Sequence, residues 1–97
     1  MRFVVVAVFD LAAEAVGAFQ DYEERVLPLL ARHDGELERR LRSADGTTEV
    51  HVLSFGSESA WHGYLADPER AAHREVLAGG RLEQRVLESL VDVPVRS

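Results

Sequence analysis

EVHVLSFGSESAWHGYLADPER, from Glu49 to Arg70, reads as a strand, a cap, an amphipathic helix and the start of a second helix. Val50, Val52 and Ser54 alternate with Glu49, His51, Leu53 and Phe55, and Val and Phe favour a pleated, half-buried surface. Gly56 breaks the strand, and Ser57 stands where a hydroxyl accepts from a free amide of the first helical turn. Glu58 follows in that turn, where negative charge suits the helix dipole. Ala60, Trp61, Tyr64 and Leu65 share one face at helical spacing, while Glu58, Ser59 and His62 point elsewhere. At Asp67-Pro68 the chain restarts, with Asp as cap and Pro at the first helical position, where its missing N–H costs nothing.

Upstream, Phe3 to Phe9 is apolar without alternation, the pattern of a central strand covered on both faces. Ala12 to His33 has helical periodicity, with Val16, Phe19, Tyr22 or Glu23, Val26, Leu29 and Leu30 as the apolar stripe. Pro28 removes the bond to the Glu24 carbonyl, so a kink is expected near Leu27. His33-Asp34-Gly35 ends that helix, with Gly free to turn left-handed. Glu36 to Ser43 alternates Leu37 and Leu41 with charged neighbours, which suits an edge strand, and Ala44-Asp45-Gly46 signals a hairpin. Downstream, a helix is expected from Pro68 to about Ala78, stopped by Gly79-Gly80, and a last strand from Arg81 or Leu82 to Val95, closed by Pro94.

The order is strand, helix, strand, strand, helix, strand: one α+β domain over residues 1–97. Two right-handed crossovers around an antiparallel hairpin predict a ferredoxin-like sheet, spatial order 4-1-3-2, with helices on one face. The most apolar strands are then central and the most charged strand lies at an edge. Because the first strand is apolar on both faces, the uncovered face predicts a homodimer through the sheet. So small a chain also buries only ~60–70% of its unfolded surface, which a second copy would improve.

With 17 acidic and 11 basic residues the net charge is -6, and the arginines alternate with acids, which argues against nucleic acid as a partner. The absence of cysteine excludes a thiol nucleophile and a Cys-bearing zinc site. The apolar run after Arg2 is short, ends in Asp10 and reads as a strand rather than a secretion signal, and no run reaches the ~20 residues of a membrane helix. A cytoplasmic protein with no membrane partner is the expectation.

VLPLLARHDG at the end of the first helix, followed by the stretch from Glu49 to Arg70, resembles the dimeric α+β barrel superfamily, nearest to its small uncharacterised members and to the antibiotic-biosynthesis monooxygenase-like group. The resemblance spans nearly the whole chain. It implies a fold more than a reaction, because monooxygenases, haem-degrading enzymes, isomerases and dehydratases share that fold. Haem-degrading relatives use an Asn in strand one, an aromatic on the second helix and a His after it. Here Ala7 holds the Asn place, Tyr64 the aromatic place, and His73 falls one residue short. Quinone-forming relatives need Asn, Trp and Arg; Trp61 and Arg81 fall at compatible spacing, with Ser57 at the Asn place.

The chemistry-bearing candidates are few. Trp61 and Tyr64 are either core or the aromatic wall of a pocket between helices and sheet. His51, mid-strand, is either a neutral imidazole satisfied by its surroundings or a base toward a ligand. Tyr22, with Arg39 or Arg40, is either surface or a polar cavity rim. His62 is read as surface, and His73 is open to either role. No metal spacing, phosphate loop or nucleophile motif is present, and no cofactor is implied. The expected function is binding of a small aromatic or polyketide-like molecule by Tyr22, His51, Trp61 and Tyr64. The alternatives are a cofactor-independent monooxygenase, isomerase or cyclase with His51, Tyr64 and Arg81 as catalytic candidates, and a structural dimer without ligand.

Overall fold

The computed structural model describes residues 2–77 and 82–95. Strand β1 (Phe3–Leu11) leads through a 3-10 turn, Ala13–Ala15, into helix α1 (Val16–Val26). A 3-10 segment, Leu27–His33, continues α1 to the hairpin of β2 (Gly35–Arg42) and β3 (Thr48–Phe55). Helices α2 (Glu58–Leu65) and α3 (Pro68–His73) follow, then a 3-10 turn at Arg74–Leu77 and strand β4 (Leu82–Leu90). All pairings are antiparallel, in the order β2-β3-β1-β4, which is the predicted topology. One sheet and one helical layer make a slab 39 × 37 × 17 Å.

The helix reads as expected until Leu27, where Pro28 breaks the α pattern and the chain tightens to 3-10. At its end the left-handed residue is Asp34 (φ 52°), not Gly35. Gly35 is required for a different reason: a Cβ there would lie 2.6 Å from the Phe55 ring. Ser57 caps α2 by accepting from Ala60 N at 3.1 Å, and Asp67 caps α3 by accepting from Glu69 N at 2.8 Å. The hairpin turn places Gly46 at φ 78°. Asp45 there accepts from both the Thr47 hydroxyl and amide and from Ser43, which hold its carboxyl at about 2. The last strand is shorter than expected. It ends at Leu90, beside Ser89 at φ 59°, and Val91, Val93 and Val95 are exposed. Ala78, Gly79, Gly80 and Arg81 lie outside the described residues.

Period two decides which β1 residues meet the helices. Val5, Ala7, Phe9 and Leu11 are buried beneath them, whereas Val4, Val6 and Val8 on the other face are only half-buried. Across β3 the same division puts Glu49, His51, Leu53 and Phe55 under the helices and Val50 and Val52 on the open face. The core has two parts. Phe55, Trp61 and Tyr64 join Leu29, Leu30 and Leu53 at one end, and Phe9, Leu11 and Phe19 fill the other. Between them lies a cavity.

Candidate functional site

Glu49 and His51, two residues apart on β3, both point into the helix layer and are 0% and 2% exposed. A buried carboxylate is costly unless its oxygens are paired. The hairpin supplies partners, because its register sets Arg42 opposite Glu49 and Arg40 opposite His51. Arg40 Nε donates to Glu49 Oε1 at 2.7 Å and Arg42 Nε to Oε2 at 2.8 Å, while His51 Nε2 lies 2.7 Å from Oε1. Burial alone would push the Glu49 carboxyl up. The three hydrogen bonds together outweigh that effect and hold it at about 2, below the ordinary 4.5.

Glu49 is therefore an anion at neutral pH and can only accept. The facing His51 nitrogen, Nε2, must carry the proton, which leaves the Nδ1 lone pair on the cavity side. Burial lowers the His51 pKa against the pull of Glu49, so the ring is neutral. Facing Nδ1 from α1 is Glu23, 3% exposed, with Oε2 at 3.8 Å. Burial raises the Glu23 carboxyl to about 7. The positive charge of Arg40 opposes the rise, Glu49 adds to it, and Arg70 opposes it again.

Three polar atoms here have no hydrogen-bond partner among the described residues: Tyr22 Oη, Arg70 Nε and Arg40 Nη2. Tyr22 is fully inside, not at an exposed rim. The Arg70 guanidinium carbon lies 4.9 Å over the Tyr64 ring. Burial pushes the Tyr64 hydroxyl up to about 12, against the charge of Arg70. Trp61 packs on Phe55 and Tyr64 and donates its indole N–H to Glu88 of β4, so it is both core and cavity wall. The cavity, about 30 Å³, is bounded by Tyr22, Trp61, Tyr64 and Arg70, by Glu23 and His51, and by Phe9, Phe19 and Leu53. That volume holds about one or two waters.

Tyr22, His51, Trp61 and Tyr64 thus border one space. His62 is on the surface beside Glu58, and His73 pairs loosely with Glu69 away from the cavity. Ser57 spends its hydroxyl on the α2 cap and offers nothing to the cavity. Arg39 is exposed, and Arg40 turns inward to Glu49. Arg81, a catalytic candidate, lies outside the described residues. Sequence reasoning missed Glu23, Glu49 and Arg70. Glu49 was within reach, since its alternation with His51 and its place across the hairpin from Arg42 both follow from the turn.

With the geometry in place, the fold can be compared with known structures. SnoaB, a cofactor-independent oxygenase from Streptomyces nogalater, superposes with TM-score 0.70 at 21% identity, over 97% of this chain and 98% of that one. An antibiotic biosynthesis monooxygenase gives TM-score 0.77 at 14% identity, over 95% and 99% of the two chains. A NIPSNAP family protein of unknown function from Agrobacterium tumefaciens gives 0.66 at 18%, over 98% and 94%. The chain has the fold of the dimeric α+β barrel proteins. No family model matches the sequence, and no curated protein matches it. At such identities the dimeric α+β barrel likeness is one of fold, in agreement with the resemblance seen in the sequence. Among the described residues no helix is long and apolar enough to cross a membrane, and no group of three or more His, Asp or Glu is placed to hold a metal ion.

Proposed function

We propose that the protein is a cytoplasmic homodimer that binds a small, aromatic or polyketide-like molecule in the cavity between helices and sheet. The observation that carries this reading is the set of unpartnered polar atoms, Tyr22 Oη and Arg70 Nε, on residues that line a cavity shared with Glu23, His51 and several aromatic rings. Buried polar groups are normally satisfied, so unsatisfied ones beside a cavity mark a binding site, and Glu23, whose carboxyl burial raises to about 7, borders the same space. Trp61, Tyr64, Phe9 and Phe19 supply flat apolar walls for a ring.

A ligand of that size needs ~300 Å³ or more, so the cavity must widen to admit it. The wall formed by α3 is suited to move. It has no buried residue and is tied down mainly by Asp67, through His33 at 2.6 Å and Arg32 at 3.3 Å. The dimer is supported by the half-buried valines of the open sheet face and by the open groove beside them, about 890 Å³, lined by Val4, Val6, Ser89 and Val91.

The test is a panel of small aromatic and polyketide-like compounds, screened by thermal shift and mapped by NMR. A binder at 100 times its Kd should add ~2.7 kcal/mol and move the Trp61 indole and His51 ring signals. Binders that map only to the open sheet face, or none at all, would end this reading. A cofactor-independent oxygenase is the second reading, favoured by the fold shared with SnoaB. Against it, the cavity receives no polar group from Ser57 or Ala7.

A further inference from the structure

The groups around the cavity differ in what they can do with a proton. Glu49, clamped by Arg40 and Arg42, only accepts and fixes the imidazole. His51 Nδ1 presents a lone pair, and Glu23 presents a carboxyl 3.8 Å from it, on the opposite wall. Tyr22 Oη and Arg70 Nε are donors without acceptors among the described residues. Tyr22, Glu23, His51 and Arg70 all line the same cavity, and two donors, a base and an acid around one space can receive an oxygen attached to a carbon acid.

We infer that Glu23 and His51, oriented by Glu49, form an acid–base pair that shifts protons on an enolisable carbonyl compound. This deepens the ligand-binding reading and rests on it. In the step, Tyr22 Oη and Arg70 Nε donate to the carbonyl oxygen. His51 Nδ1 takes the proton from the adjacent carbon; the C–H electron pair becomes the C=C bond, and the carbonyl π pair moves to oxygen. Glu23 delivers its proton to that oxygen, giving the enol. The resulting imidazolium and carboxylate face each other, so the proton passes from Nδ1 to Glu23 Oε2 and the pair is reset. Reprotonation at the same carbon exchanges hydrogen with solvent, and reprotonation at a conjugated carbon isomerises the compound. No oxidant or cofactor enters the balance. Glu49, which touches only His51 and the arginines, is a positioning residue.

The step needs a neutral imidazole and a protonated Glu23. Glu23 is faced by Arg40 of β2, Glu49 and His51 of β3, Tyr64 of α2, Arg70 of α3, and its neighbour Tyr22, while Arg74 borders the cavity beyond α3. The rate should therefore fall as Glu23 ionises, on the alkaline side of about 7.

The experiment uses the full chain and 2-tetralone in D2O, with proton NMR following loss of the C1 hydrogens. The expected result is exchange about 100-fold above buffer, the lower end for general acid–base catalysis. E23Q and H51F should return it to the buffer rate, and E49Q should lower it while changing the His51 tautomer seen by nitrogen NMR. E23Q replaces the carboxyl by an amide of nearly the same shape and should fold, so it decides the matter if H51F does not. In the unliganded protein, a His51 ring with its proton on Nδ1 overturns the pair. If 2-tetralone shifts the Trp61 indole yet exchanges no faster than in buffer, the acid–base pair fails and the binding site survives. If 2-tetralone shifts no cavity residue, the pair falls together with the pocket.

Discussion

Glu23 is the residue whose ionisation the fold resists. In the unfolded chain its carboxyl titrates near 4.5, and in the folded protein near 7. A group whose pKa is raised by folding adds stability below its unfolded value and loses it as the pH climbs through the folded one. The native state should therefore surrender on the order of 2–3 kcal/mol between pH 4.5 and pH 8 at this one position. Glu23→Gln removes the effect. Urea denaturation should find the variant more stable than the parent by about 2 kcal/mol at pH 8 and equal to it near pH 4.5. A difference that does not change with pH would show that folding leaves the Glu23 pKa where it stands in the unfolded chain. Glu49 has the opposite sign. Its depressed pKa contributes stability above 4.5 that disappears as the pH falls toward 2. Trp61 belongs to packing as much as to the cavity, since it is 4% exposed and stacks with Tyr64. Trp61→Ala should cost about 3–5 kcal/mol by chemical denaturation, a large part of the stability of a domain this small. A loss under about 1 kcal/mol would place the indole against an open pocket instead.

Among the α-helices, α3 is lightly held. Its helix has no buried residue, and its start is fixed by Asp67, which accepts from the Glu69 and Arg70 amides and from His33 and Arg32. The hydrogen bond from His33 leads in holding the Asp67 carboxyl at about 2, so the cap survives down to strongly acidic pH and is lost only as the pH falls from about 4 toward 2. Asp67→Ala should raise amide hydrogen exchange in α3 on the order of tenfold while leaving β1 and β3 unchanged. It should also speed ligand entry, because α3 carries Arg70 at the cavity wall. Uniform loss of protection across the sheet would mean that α3 does not open by itself. Both caps, Ser57 and Asp67, were legible because capping is local chemistry: a short polar side chain next to free amides. The end of α1 was legible in position but not in its residue. Gly35 had to stay extended beneath Phe55, and Asp34 took the left-handed turn. The buried charge network was hidden for a similar reason. Arg40 and Arg42 look like solvated edge-strand charges until the hairpin register turns them toward Glu49.

For the molecule as a whole, the strand order followed from crossover handedness and from ranking the strands by apolar content, both of which survive without tertiary detail. The cavity did not, because a volume of about 30 Å³ depends on how Phe9, Phe19 and Leu53 interlock, and composition carries no such information. The uniform valine run of β1 falls between these cases. It stated that both faces are apolar, and the helices cover only the face of Val5, Ala7 and Phe9. Val4, Val6, Val8, Val50 and Val52 form the remaining face, with the exposed Val91, Val93 and Val95 beyond β4. A patch of that kind is stable in water when a second copy presents the same face, the simplest self-complementary arrangement. Sedimentation at micromolar concentration should therefore find a dimer of the 10.8 kDa chain. Val52→Arg puts a charge at the centre of the face, opposite Val6 in the β1–β3 register. It leaves the helix-facing core untouched, so the variant should sediment as a folded monomer. Its Tm should also lose its dependence on protein concentration, which mass action requires of the parent. A parent that is monomeric at these concentrations, or a Val52→Arg variant that still pairs, would show that something other than a second copy covers this face.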